Sequence, residues 1–226
     1  MKKQTLVSWS SGKDCAWALH SLRQQSEVDV VGLFSTVNQE FERVAMHAVR
    51  NELVRQQAKS LGLPIQLIPI PYPCDDSAYG DIMKAFITQA KKQGVECIAF
   101  GDLFLESVRK YREDNLAGTG ITPIFPLWGI PTEKLSREMV NSGLRAKVTC
   151  IDPKQLSADF SGRDYDESFL QDLPPHVDPC GENGEFHSFV YDGPMFEKKL
   201  SIHTGETLSR DGLVFTDLML EEKTVA

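Results

Sequence analysis

Over its first hundred residues the chain alternates strand-like and helix-like runs, and no other feature restricts the fold so strongly. Residues 5–9 (TLVSW) form a short β-rich run, and residues 16–22 follow with helical spacing. Residues 28–34 (VDVVGLF) are nearly continuous in apolar character, as buried parallel strands are. The spacing of Val44, Ala48, Leu53 and Ala58 predicts a helix over 44–61, with Gly62 as its C′ residue. Residues 65–70 read as a third strand, closed by Pro71 and Pro73. Asp76 and Ser77 are expected to cap a helix running through Tyr79, Met83, Phe86 and Ile87 to Gly94, and residues 95–100 read as a fourth strand. This order with short connections predicts the α/β class: a Rossmann-like parallel sheet covered by helices on both faces.

The pattern changes near residue 125, where Pro123, Pro126, Gly129 and Pro131 crowd together. A helix over 133–142, a strand over 144–151, and shorter strand material at 181–190 and 213–220 follow. The reading is a smaller C-terminal α+β domain, with the chain divided into 1–128 and 129–226. The length of 226 residues agrees, at roughly one and a half domains. A hydrophobic share of 41% and a charged share of 25% are ordinary for a globular protein and argue against disorder. The formal net charge of -8 weighs against nucleic acid as a partner, although it says nothing of a local anion site. No run approaches the roughly 20 apolar residues of a membrane helix, and the apolar run behind Lys2 and Lys3 is too short for a signal peptide. Five scattered cysteines without a C-x-x-C pair argue against a disulfide framework or structural zinc and for thiols in a reducing cytoplasm.

Chemistry is expected first in the loop between strand one and helix one: Ser8, Trp9, Ser10, Ser11, Gly12, Lys13, Asp14 and Cys15. In a doubly wound sheet, ligands bind at the carboxyl ends of the strands. Small residues there expose backbone N–H groups, the following helix adds its unpaired amides and positive dipole end, and Lys13 adds a charge, which together make a phosphate cradle. It is neither a Walker A loop, which would need Gly at 7 and Ser or Thr at 14, nor a G-x-G-x-x-G loop. Three other places carry candidates, the first and the last of them on the same edge. Phe34 and Ser35 could line a base pocket, Met46 and His47 open the next helix, and Gly101 and Asp102 close the fourth strand. Arg109 and Glu113 follow as an i,i+4 pair. Further on, G-E-N-G-E-F-H carries Glu182, Asn183, Glu185 and His187. Here a hairpin turning at Asn183-Gly184 is expected, with Glu185 and His187 on one strand face.

S-S-G-K-D-C resembles the S-G-G-x-D-S loop of the ATP pyrophosphatases, with Ser11 where Gly is usual and Cys15 where Ser or Thr is usual. Taken in order with P-L-W-G at 126–129 and G-E-N-G-E-F-H, the chain over roughly residues 4–200 is similar to the diphthine–ammonia ligase (diphthamide synthase) family. The resemblance implies an adenine nucleotide alpha hydrolase-like ATP domain followed by a smaller domain. It also implies conversion of a carboxylate to an amide through an acyl-adenylate, with AMP and pyrophosphate released. On that reading the 8–15 loop, Phe34, Ser35, Met46, His47, Gly101 and Asp102 bind ATP, and Asp14 and Asp102 hold Mg2+. Lys13, Asp14, Asp102, Glu185 and His187 serve catalysis, while Arg109, Glu113, Glu182, Asn183 and Glu185 meet the substrate. The partners are ATP, a carboxylate acceptor (a small molecule or a protein side chain), and ammonia or another amine, with a homodimer allowed for. Two alternatives are a nucleotide-binding sensor with little turnover and a tRNA-modifying enzyme of the same superfamily.

Overall fold

The computed structural model describes residues 2–41, 43–44 and 49–221. The first half runs β1 (Lys3–Ser8), α1 (Lys13–Arg23), β2 (Val28–Asn38), β3 (Arg43–Val44), α2 (Asn51–Ser60), β4 (Ile65–Ile70), α3 (Asp76–Lys92), β5 (Cys97–Ala99), α4 (Glu106–Leu116) and β6 (Thr122–Ile124). Five strands pair in parallel in the order β4-β2-β1-β5-β6, and β3 adds a two-residue antiparallel pair on β2. The chain winds outward from β1 in one direction and then restarts beside β1 with β5. The gap between the carboxyl ends of β1 and β5 is therefore the topological switch point, where such sheets open a crevice.

Helices cover both faces. Leu53, Val54 and Ala58 of α2 share a cluster with Ala16, Leu19 and Leu22 of α1. Phe86, Ile87 and Ala90 of α3 and Leu116 of α4 form another cluster with Phe34, Ile68 and Ile98. Successive strand side chains point to opposite faces, so in β1 Val7 belongs to the first cluster and Leu6 packs against the second.

The second half builds a separate antiparallel sheet in the order β8-β7-β10-β9. Its strands are β7 (Arg145–Ile151), β8 (Phe186–Asp192), β9 (Ile202–Arg210) and β10 (Leu213–Leu220), with helices α5 (Thr132–Asn141) and α6 (Glu167–Asp172). The α1 cluster continues through Phe186, Phe189 and Val190 of β8, so one apolar core runs under both sheets. No helix among the described residues is long and apolar enough to cross a membrane. The cysteines are free thiols, four of them buried and Cys74 partly exposed.

Three local expectations change. The helix expected over 44–61 begins at Asn51, and Val44 instead pairs with Val37 in β3. Arg43 and Arg50 form an antiparallel bridge, and both reach Asp217 of β10, so a tertiary ion cluster overrides the helical spacing. The cap of α3 is Asp75, whose carboxylate accepts from Ala78 N at 2.8 Å, one residue before the expected Asp76-Ser77. Finally, Asn183-Gly184 turns no hairpin. β8 pairs with β7, which ends at residue 151, and 181–185 is a turn leading into β8.

Candidate active site

The 8–15 loop lies at the switch point and opens on a cleft of about 480 Å³, of a size suited to a nucleotide-sized ligand. Ser8 ends β1, and Trp9 N donates to Phe34 O at 2.7 Å, which ties the loop to β2. Ser11 then takes a left-handed conformation, φ 73°, that places its carbonyl between two donors. Val190 N of β8 and Gln57 Nε2 of α2 each reach that oxygen at 3.0 Å. Gly12 is the N-cap of α1 and brings no side-chain cap, so the first-turn amides depend on partners from elsewhere. One is already served: Lys13 N donates to Ser188 Oγ at 3.2 Å. Gly101 backs the helix end so closely that a Cβ there would lie 2.8 Å from Cys15 N. Only glycine leaves that amide uncovered.

Lys13 is 2% exposed and extends beneath the loop. Its ammonium donates to the Cys180 carbonyl and, at 2.9 Å, to Asp14 Oδ2, and lies 5.2 Å from the Phe186 ring centroid. Burial opposes its charge, but Asp14, Cys180 and Asp178 together outweigh this and hold Lys13 above its ordinary value. Burial pushes Asp14 up despite Lys13, and Asp14 Oδ1 has no partner among the described residues. Cys15 is buried, with its thiol pushed up to about 11 by burial. The thiol donates to Gly12 O at 3.1 Å and accepts from Ser10 Oγ at 3.3 Å, which fits a neutral packing residue and not a thiolate.

Asp102 and Glu182 bring two more carboxylates to the cleft. Burial raises Asp102 against the pull of Arg112. Glu182 is raised by burial and by the fields of Asp14 and Asp102, while Leu103 N, at 2.8 Å, and Phe104 N donate to its Oε1. Three carboxylates thus face two basic side chains, Lys13 and Arg112, on the described lining. No group of three or more His, Cys, Asp or Glu side chains among the described residues is arranged to hold a metal by itself, so a cation here would need ligand oxygens beside Asp14 Oδ1 and Asp102. Mg2+ commonly takes one or two carboxylates plus phosphate oxygens.

His187 lines the cleft from β8, with its imidazole lowered to about 4, by burial first and then by the charge of Lys13. It is neutral at pH 7 and able to accept a proton. The unfolded chain, with an ordinary value of 6.5, binds that proton first. The stability that His187 contributes is therefore complete above about pH 6.5 and lost as pH falls toward 4. A shift of this size corresponds to about 3 kcal/mol. Urea unfolding in that window should show a falling stability that His187→Gln largely removes, and equal slopes in the two proteins would overturn the assignment.

Another part of the cleft, its apolar end, is lined by carbon. Phe34, Met83, Ile87, Ile98, Phe100 and Leu116 line it, with the buried Ser35 hydroxyl lacking a partner among the described residues. Met46 and His47 lie outside the described residues. Several expected residues fall elsewhere. Arg109 and Glu113 pair with each other at 2.8 Å away from the lining, and the Arg109 guanidinium stacks on Phe125 and Trp128. On α4 the cleft is lined instead by Tyr111, Arg112, Asn115 and Leu116, an i,i+4 pattern shifted from the charged pair. Asn183 and Glu185 also lie off the lining, whereas Glu182 and His187 are on it. Glu185 is 2% exposed and precedes β8, so it shares no strand face with His187. Its carboxylate accepts from Asp178 N, Asn183 N and Asn183 Nδ2 at 2.9–3.0 Å and shapes the turn that presents Glu182.

Residues 2–121 match the family model described as the diphthamide synthase N-terminal domain, and residues 131–217 match the diphthamide synthase C-terminal domain. The chain belongs to the diphthamide synthase family. Similar curated proteins are all named diphthine–ammonia ligase. The Bos taurus protein is 26% identical over 72% of this chain and 66% of its own length. The Homo sapiens protein is 29% identical over 66% and 61%, and the Danio rerio protein 26% identical over 82% of each. This chain thus spans under two thirds of the length of the first two. Ser11 stands where the S-G-G-x-D-S loop that this segment resembles has glycine. Its φ of 73° gives the physical reason, because that conformation costs a side-chain-bearing residue about 1–2 kcal/mol that glycine avoids. The buried Ser11 hydroxyl gains no partner among the described residues in return.

Proposed function

We propose that the chain is an ATP-dependent, AMP-forming amide ligase that activates a carboxylate as an acyl-adenylate and passes it to ammonia or another amine. The observation that carries this reading is the 8–15 loop, an open helix N-terminus at the switch point facing Glu182 and His187 across one cleft. The uncapped first turn of α1 would hold the β- and γ-phosphates, and the apolar end from Phe34 to Leu116 would hold the base. Asp14 and Asp102 would hold Mg2+, which when bound offsets charge on the pyrophosphate. An acceptor carboxylate oxygen attacks the α-phosphorus while the bond to the β-phosphate oxygen breaks. The amine nitrogen then attacks the acyl carbon, AMP leaves, and the proton the nitrogen sheds passes to water or to neutral His187, which lines the cleft but is a weak base at neutral pH. On this reading residues 1–128 bind the nucleotide, residues 129–226 form the acceptor side, and the work is done in the cytoplasm.

The names of the relatives support the reaction class, and the raised carboxylates of the cleft support a site built for a cation and a polyphosphate. The test incubates the protein with ATP, Mg2+, an ammonium salt and a panel of carboxylic acids, followed by phosphorus NMR. AMP and pyrophosphate should rise together, one for one, with the matching acid. ADP and phosphate as products would sink the proposal, and tight ATP binding without turnover under any acid would return the sensor reading.

A further inference from the structure

The two basic side chains on the described lining of the cleft are differently engaged. Lys13 is bonded to Asp14 and Cys180 beneath the loop. Arg112 faces Asp102 Oδ2 with its Nε at 3.5 Å, a long contact, and its two terminal nitrogens bond to no described residue. Its guanidinium lies 5.0 Å from the Phe100 ring centroid and 5.9 Å from that of Tyr111. A planar cation stacked on rings and steadied at one nitrogen keeps its fork of N–H donors oriented for an oxyanion. At 31% side-chain exposure it is accessible from the cleft.

Its position assigns the oxyanion. Arg112 rests on Phe100, which belongs to the apolar end, and pairs with Asp102, the neighbour of Gly101, which backs the phosphate loop. It therefore touches both the region that would take the base and the edge of the region that would take the β- and γ-phosphates. The group of ATP that lies between them is the α-phosphate. We propose that Arg112 receives the α-phosphoryl oxygens of the nucleotide. Charge builds on those oxygens as the acceptor attacks, so Arg112 would stabilise the transition state as well as the bound nucleotide. Arg109, three residues earlier, is held on Phe125 and Trp128 and does not reach the cleft.

This inference rests on the ATP reading of the cleft, and calorimetry on the purified full chain separates the two. Wild type, Arg112→Met and Arg112→Lys are titrated with adenosine, with AMP and, in the presence of Mg2+, with α,β-methylene ATP. Adenosine should bind all three proteins equally. AMP and the ATP analogue should bind Arg112→Met about 10–100-fold more weakly, as loss of a charge-assisted pair predicts, with partial recovery in Arg112→Lys. Equal AMP affinity in wild type and Arg112→Met would overturn the α-phosphate assignment and leave the ATP site standing. Adenosine weakened as much as AMP would reduce Arg112 to packing on Phe100 and also overturn it. Failure of wild type to bind any of the three would bring down both readings.

Discussion

Gly101→Ala is expected to abolish nearly all turnover while leaving a folded protein. The added Cβ would lie 2.8 Å from Cys15 N and 2.9 Å from the Asp14 carbonyl carbon. Both are backbone atoms in the first turn of α1, so the strain can be relieved only by moving the helix end or the loop after β5. Overpacking of this kind costs about 1–3 kcal/mol. The larger effect is on the chemistry. The same Cβ covers the amide that a phosphate needs, and misplacement by about 1 Å can cost 10²-fold in rate. Urea unfolding and AMP release measured together check both. Gly80→Ala is the matched control, because nothing lies within 4 Å of a Cβ in that part of α3. Unchanged AMP release in Gly101→Ala would refute the account of the loop.

The second large effect is expected at Glu185. Its Oε2 accepts from Asn183 N, and its Oε1 accepts from Asp178 N and Asn183 Nδ2. Glu185→Gln keeps the shape but turns one acceptor into a donor opposite an N–H, and the side chain is 2% exposed, so water cannot compensate. Loss of charge-assisted bonds there is worth about 2–4 kcal/mol. The turn also places Glu182, whose amide donates to Asp178 Oδ2, so turnover should fall along with stability. A proton-transfer role for Glu185 predicts the reverse: kcat lost at unchanged stability. Urea unfolding beside the AMP assay decides between them.

The apolar runs made the parallel α/β class of the first sheet legible, because parallel strands buried on both faces leave a one-dimensional trace, while the strand order and the short β6 were not read from them. β9 left none: most of its residues are exposed, and its pairing with β10 rests on backbone bonds. β3 and the late start of α2 were hidden because Asp217, far off in sequence, draws in Arg43 and Arg50. In the site, the loop, Gly101, Asp102, Glu182 and His187 were legible from residue type and position on the sheet edge. Arg112 was not. Arg109 and Glu113 made the conspicuous helical pair, but helix phase decides which arginine meets the cleft, and Phe100 sets that phase by giving Arg112 a ring to lie on. Glu185 was legible as important, but its role depends on three amides that sequence spacing does not reveal.

The carbonyl of Ser11 and the amide of Lys13 are held by Val190 and Ser188, which lie more than 170 residues further along the chain. The loop is therefore not a portable cassette. A chimera that joined residues 1–128 to an unrelated partner would inherit the nucleotide sequence pattern without the strand that props it open. Recombination between relatives should succeed only when the two parts are exchanged as a matched set, so the two halves are expected to share one ancestry.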